Sequence, residues 1–119
     1  MRLILIGGLA TLFLMQPAAA NFFTYAEWLR LSREGRAAYI SGAYDSVVTF
    51  ALGENGRRIA VHYGDCIRKT KMSNDQLAEN IRKFVEDKPK LQAGSVQMPL
   101  IEYMHELCGD VPNDVPKAN

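Results

Sequence analysis

The chain has only two cysteines, Cys66 and Cys108, and the segment at its N-terminus decides what they can do. Arg2 supplies a positive start. Residues 3–15 are apolar apart from Thr11 and the small residues Gly7, Gly8 and Ala10, Gln16-Pro17 breaks the run, and Ala18-Ala19-Ala20 offers the small residues that a signal peptidase reads. An apolar run of about 13 residues falls short of the ~20 that span a bilayer. Residues 1–20 therefore read as a cleavable export signal, and no cysteine stands near the cleavage point to carry lipid. Export places Cys66 and Cys108 in an oxidising, periplasmic compartment, where one intrachain disulfide is expected. Closing a loop between residues 42 apart contributes about 3–4 kcal/mol on a chain-entropy model. The competing set is zinc held by His62, Cys66, His105 and Cys108. His-x3-Cys with His-x2-Cys is not a familiar zinc spacing, so no metal is expected. With no C-x-x-C motif, a redox-active pair is not expected either.

Removing the first 20 residues from a chain of 119 leaves 99, enough for one domain with a modest core. Without Arg2 the 14 basic residues fall to 13 against 13 acidic ones, a net charge of zero. That balance predicts no nucleic-acid partner, and no membrane partner after cleavage. Arg57-Arg58 and Arg82-Lys83 are short basic pairs that read as solvated surface.

The pattern along the chain is helical, and the expected fold is all-α, a small bundle of four to five helices. Thr24-x-x-Glu27 is a capping box that opens a helix over about 25–33, with Trp28 and Leu29 as buried anchors and Leu31 as a third. A second helix follows Ser32-Arg33-Glu34-Gly35. Ile40, Ala43, Tyr44, Val47, Val48 and Ala51 lie on one face. Gly42 interrupts that helix and predicts close approach of a neighbour there. Residues 47–61 also read as a hairpin around Gly53-Glu54-Asn55-Gly56, but the longer 3.6-residue period favours helix to about residue 52. Residues 53–56 are expected to be a turn, and residues 57–63 fit a short helix or an extended segment equally. Ser73-x-x-Gln76 is a second capping box, opening a helix with Leu77, Ile81, Phe84 and Val85 inward and ending before Pro89. The last helix starts within residues 95–99 and carries Val96, Leu100, Ile101, Met104, Leu107 and Cys108 on one face, with Gly109 as its left-handed cap. Residues 21–109 form the helical domain. Residues 110–119 are expected to be a disordered tail, and no internal repeat is expected.

A search for chemistry finds no nucleophile, base and orienter in any recognisable arrangement. His105, beside Glu102 and Glu106, reads as surface. No Gly-rich phosphate loop is present, and no cofactor is expected. Tyr39, Tyr44, Tyr63 and Tyr103 are candidate binding anchors that could equally complete the core. The turn-rich segment 53–65, with Arg57, Arg58, His62 and Tyr63, is the candidate partner-binding surface.

Trp28, the Tyr39-Ile40-Ser41-Gly42 run with Asp45 after it, Cys66, Ser73-x-x-Gln76-Leu77, Pro89 and a closing helix ending in Cys108 resemble the Rap/Tai immunity proteins of type VI secretion systems. The resemblance covers about residues 25–108. It implies a periplasmic all-helical protein with Cys66 paired to Cys108, often dimeric, whose protein partner is a secreted peptidoglycan amidase that it plugs. A second resemblance is to the acid-stress chaperone HdeA, also small, periplasmic, helical and disulfide-bonded. The rival of a different class is a small metal-dependent hydrolase using His62 and His105.

Overall fold

The computed structural model describes residues 22–49 and 53–113. Residues 1–21, which include the expected export signal, residues 50–52, and residues 114–119 of the expected tail lie outside them. Six helices follow in order: α1 (Tyr25–Leu29), α2 (Arg33–Thr49), α3 (Gly53–Thr70), α4 (Asn74–Glu86), α5 (Pro89–Gln92) and α6 (Gln97–Cys108). Four are long, and α1 and α5 are single short turns. The fold is all-α, and among the described residues no helix is long and apolar enough to cross a membrane.

Local chemistry starts α1 and α4. The Thr24 backbone N–H donates to Glu27 Oε2 at 2.9 Å, and the Glu27 N–H donates to Thr24 Oγ1 at 3.2 Å. Ser73 and Gln76 repeat that exchange at 2.8 and 3.2 Å. Both boxes satisfy N–H groups that a helix start leaves without partners. Pro89 stands in the first turn of α5, where its missing N–H costs nothing.

The four long helices close a ring. α2 packs on α3 and α4, α4 packs on α6, and α6 packs back on α3. Trp28, Ile40, Ile81, Val85, Val96, Leu100 and Met104 are buried completely at its centre. One end of the ring is closed by backbone pairing. Tyr25 N–H donates to Gly94 O at 3.0 Å, Val96 N–H donates to Phe23 O at 3.1 Å, and Thr24 bridges Ser95. Behind that closure the Trp28 indole N–H donates to Arg36 O at 3.1 Å, and Arg36 Nη1 donates to Leu31 O at 2.8 Å. The other end is closed by the disulfide between Cys66 and Cys108, whose Cα atoms are 5.8 Å apart.

Several expectations are corrected. Residues 53–56 are not a turn: Gly53 takes φ +78° and starts α3, which runs unbroken to Thr70. Residues 57–63, which fit helix or extended chain equally from sequence, take the helical alternative. Leu29, Ile101 and Leu107 lie at the margins of the apolar arcs and are substantially exposed, while Ala37, Ala78 and Pro99 are buried instead. Gly109 has positive φ but extended ψ (73°, −171°), so it turns the chain away from α6 rather than curling it as a left-handed cap. Gly42 is exposed, and a Cβ there would meet nothing within 4 Å. No neighbour approaches it closely.

Two predictions follow from this packing. Gly42→Ala should raise stability by about 0.5–1 kcal/mol, because it removes backbone freedom from the unfolded chain at a helical site with open space. Urea unfolding checks this as a rise in midpoint at constant slope. Cys108→Ala should lower stability by about 3 kcal/mol, since the unfolded chain then regains a loop of 42 residues. Thiol titration of the oxidised parent should find no reactive sulfur.

Candidate interaction surface

α3 turns by about 100° per residue, so its residues divide between three directions. Ile59, Tyr63 and Ile67 point to the core. Arg58, His62 and Cys66, four residues apart, face the chain that leaves α6. Arg57, Ala60, Val61, Gly64 and Arg68 share the face turned toward α2 and solvent.

The second direction is fully engaged. Cys66 is bonded to Cys108, and His62 Nε2 lies 3.2 Å from Gly109 O. Arg58 Nη1 donates to Asn113 O at 2.9 Å and to Pro112 O at 3.4 Å, while its Nη2 donates to Asn55 Oδ1 at 2.7 Å. Val111 packs against the core. Residues 110–113 of the expected disordered tail are thus laid along α3.

The four residues of the expected partner-binding surface therefore separate. Tyr63 is a core residue at 6% exposure. Arg58 and His62 hold the chain's own C-terminal segment. Arg57 is exposed, beside Gly53 and Glu54. The other tyrosines also divide: Tyr39 packs on Phe23 with ring centroids 5.1 Å apart, and Tyr103 accepts from Asn80 Nδ2 at 3.1 Å and meets Phe84 edge-on.

Between α2 and α3 runs a groove of about 430 Å³ lined by Tyr44, Val48, Ala60, Val61, Gly64, Asp65 and Arg68. Ala60 and Gly64 give it a shallow floor, because neither carries a side chain beyond Cβ. Tyr44 and Val48 form the α2 wall, and Val61 stands 41% exposed on the other side. An ion pair between Asp65 and Arg68 marks one end. Burial pushes the Tyr44 hydroxyl above its ordinary pKa, with the Arg68 guanidinium acting in the opposite sense. Tyr44 is therefore a neutral donor throughout the physiological range. Sequence reasoning named Tyr44 as an anchor but missed the groove, whose two walls come from separate helices.

The histidines are apart in role as well as in sequence. His105 Nε2 sits 2.7 Å from Asp110 Oδ1 on the exposed side of α6. Among the described residues no group of three or more His, Cys, Asp or Glu side chains could hold a metal ion. Both cysteines are taken by the disulfide, so the zinc set considered for His62, Cys66, His105 and Cys108 lacks its thiolates. Glu102 and Glu106 are exposed, and Lys88 Nζ lies 4.0 Å from Glu106. No family model, curated protein or solved structure matches the chain.

Proposed function

We propose that this chain is a non-enzymatic binding protein of the periplasm that caps a protein partner, with immunity against a secreted cell-wall amidase as the specific case. The groove between α2 and α3 carries this reading. It is apolar, open to solvent, and built on two long helices, so binding there orders little new structure and loses little affinity to entropy. A projecting apolar or aromatic residue of a partner would sit against Tyr44, Val48 and Val61, with Arg57 and Arg68 on the same helical face for polar contacts at the rim.

The test pairs the purified protein with a secreted peptidoglycan amidase, taken from the neighbouring genes if one is encoded there. Stoichiometric protein should block peptidoglycan hydrolysis. Val61→Asp should weaken inhibition at least about tenfold, as expected when a charge enters a desolvated contact. Val61 is exposed, so its melting temperature should stay within about 2 °C of the parent. No inhibition at tenfold excess, or hydrolysis by this protein itself, would refute the proposal.

Acid-switched chaperoning is the reading this structure supports less. It requires carboxylates whose protonation dismantles the fold. Among the described residues no charged side chain is buried. Three carboxyls are held below their ordinary range: Glu27 by the Thr24 backbone N–H, Glu34 by its own backbone N–H, and Glu79 by Arg82. Their contribution to stability is present above about pH 4.5 and fades as pH falls through the lowered folded values. Glu27 and Glu34 are exposed and Glu79 is only partly buried at the surface, so the loss is small. We expect near-ultraviolet circular dichroism and apolar-dye fluorescence to be little changed between about pH 7 and pH 3. A cooperative rise in dye binding in that range, together with suppression of client aggregation, would favour the chaperone reading.

A further inference from the structure

The residues after Gly109 contain a tandem pattern, Asp110-Val111-Pro112-Asn113 followed by Asp114-Val115-Pro116-Lys117. The expectation of no internal repeat fails at this scale of four residues. The first copy is seated on α3 and α6. Asp110 meets His105 Nε2 at 2.7 Å, Val111 packs against the core, and Arg58 Nη1 donates to the carbonyls of Pro112 and Asn113. Arg58 is oriented for that contact by Asn55 Oδ1.

The seat thus selects three features: a carboxylate, a branched aliphatic side chain one residue later, and two successive backbone carbonyls after that. It reads the fourth residue only through its backbone oxygen. That fourth residue is the position at which the two copies differ, Asn113 against Lys117. The second copy carries the same carboxylate, the same branched aliphatic side chain and the same run of backbone carbonyls in the same order. Moving the second copy into place would loop out four more residues after Cys108. Loop closure grows only slowly with length, so such a loop is permitted at modest entropic cost. The polar contacts are exposed and individually weak, which allows exchange between the copies.

We propose that α3 and α6 form a recognition site for an extended Asp-Val-Pro segment, filled here by residues 110–112 and open to residues 114–116 of the same chain as a substitute. The C-terminal strap then has two registers, and its first copy can be withdrawn without leaving the seat empty.

A thermodynamic cycle on the full chain tests this. Four proteins are compared by thermal melting and by the side-chain nitrogen signals of His105 and Arg58: the parent, Asp110→Ala with Val111→Ser, Asp114→Ala with Val115→Ser, and all four changes together. Either pair alone should move the melting temperature by less than about 1 °C and leave both side-chain signals near their parent positions. All four changes should lower it by about 3 °C or more, a size readable for a domain of this length, and shift both signals toward solvent values. If the first pair alone produces the whole loss, or if the two effects simply add, the second copy does not enter the seat and the proposal is wrong.

Discussion

α3 is held on the bundle by a covalent bond as well as by packing. Only Gly56 and Tyr63 are buried along its 18 residues, whereas α4 buries Leu77, Ala78, Ile81 and Val85 in 13. Ile59 and Ile67 add partly buried contacts, but α3 commits less of itself to the core than α4 does. The disulfide from Cys66 to Cys108 fastens it to α6, which is buried through Leu100 and Met104. His62 and Arg58, one and two turns back from Cys66, extend that attachment along the chain leaving α6. The sulfur bond, the carbonyl contacts and the seated Val111 thus form one line of fastening on one side of α3.

That arrangement explains the groove. Because α3 is secured on its α6 side, its α2 side need not be filled. Ala60 and Gly64 leave space there that longer side chains would close, and Val61 remains in water. Burying an aliphatic side chain contributes about 1.5–3 kcal/mol, so an open apolar channel forgoes stabilisation that a better-packed pair of helices would gain. The opposite end of the molecule has no such slack. Phe23 and Thr24 pair with Ser95 and Val96, and Trp28 is sealed behind them, so α1 and α5 act as a lid over the core rather than as a surface.

What could be read from sequence was local. The capping boxes at Thr24 and Ser73 depend on residues three apart, and both form as expected. The face of Ile40 and Ala43 on α2, the stop before Pro89 and the disulfide were also legible, since each rests on spacing or on compartment chemistry. The start of α3 reads as a turn because Gly53, Asn55 and Gly56 carry strong turn propensity, which tertiary contacts override. Its true signal was present in Ile59, Tyr63, Cys66 and Ile67, a helical face that the nearby glycines obscured. The margins of the apolar arcs failed for another reason. Leu29, Ile101 and Leu107 are apolar residues in helical register, but how wide an arc is covered depends on the neighbouring helices, and periodicity alone does not state that.

The candidate site was legible in part, and the part that failed is instructive. Arg57, Arg58, His62 and Tyr63 read as one surface when residues 53–65 are treated as a single turn-rich segment. Once that segment is a helix, adjacent residues are about 100° apart and cannot share a face. The same chemistry then does three different jobs. Tyr63 fills the core, Arg58 and His62 grip backbone carbonyls, and Arg57 alone stands free in solvent, beside Gly53 and Glu54. A surface that a partner could use must therefore be sought among residues spaced by three or four, and Ala60, Val61, Gly64 and Arg68 meet that condition. Two of these lack the bulk to fill the space beside α2, and Val61 is apolar yet exposed. That combination separates an open channel from an ordinary solvated helix face, where long polar side chains would cover the floor.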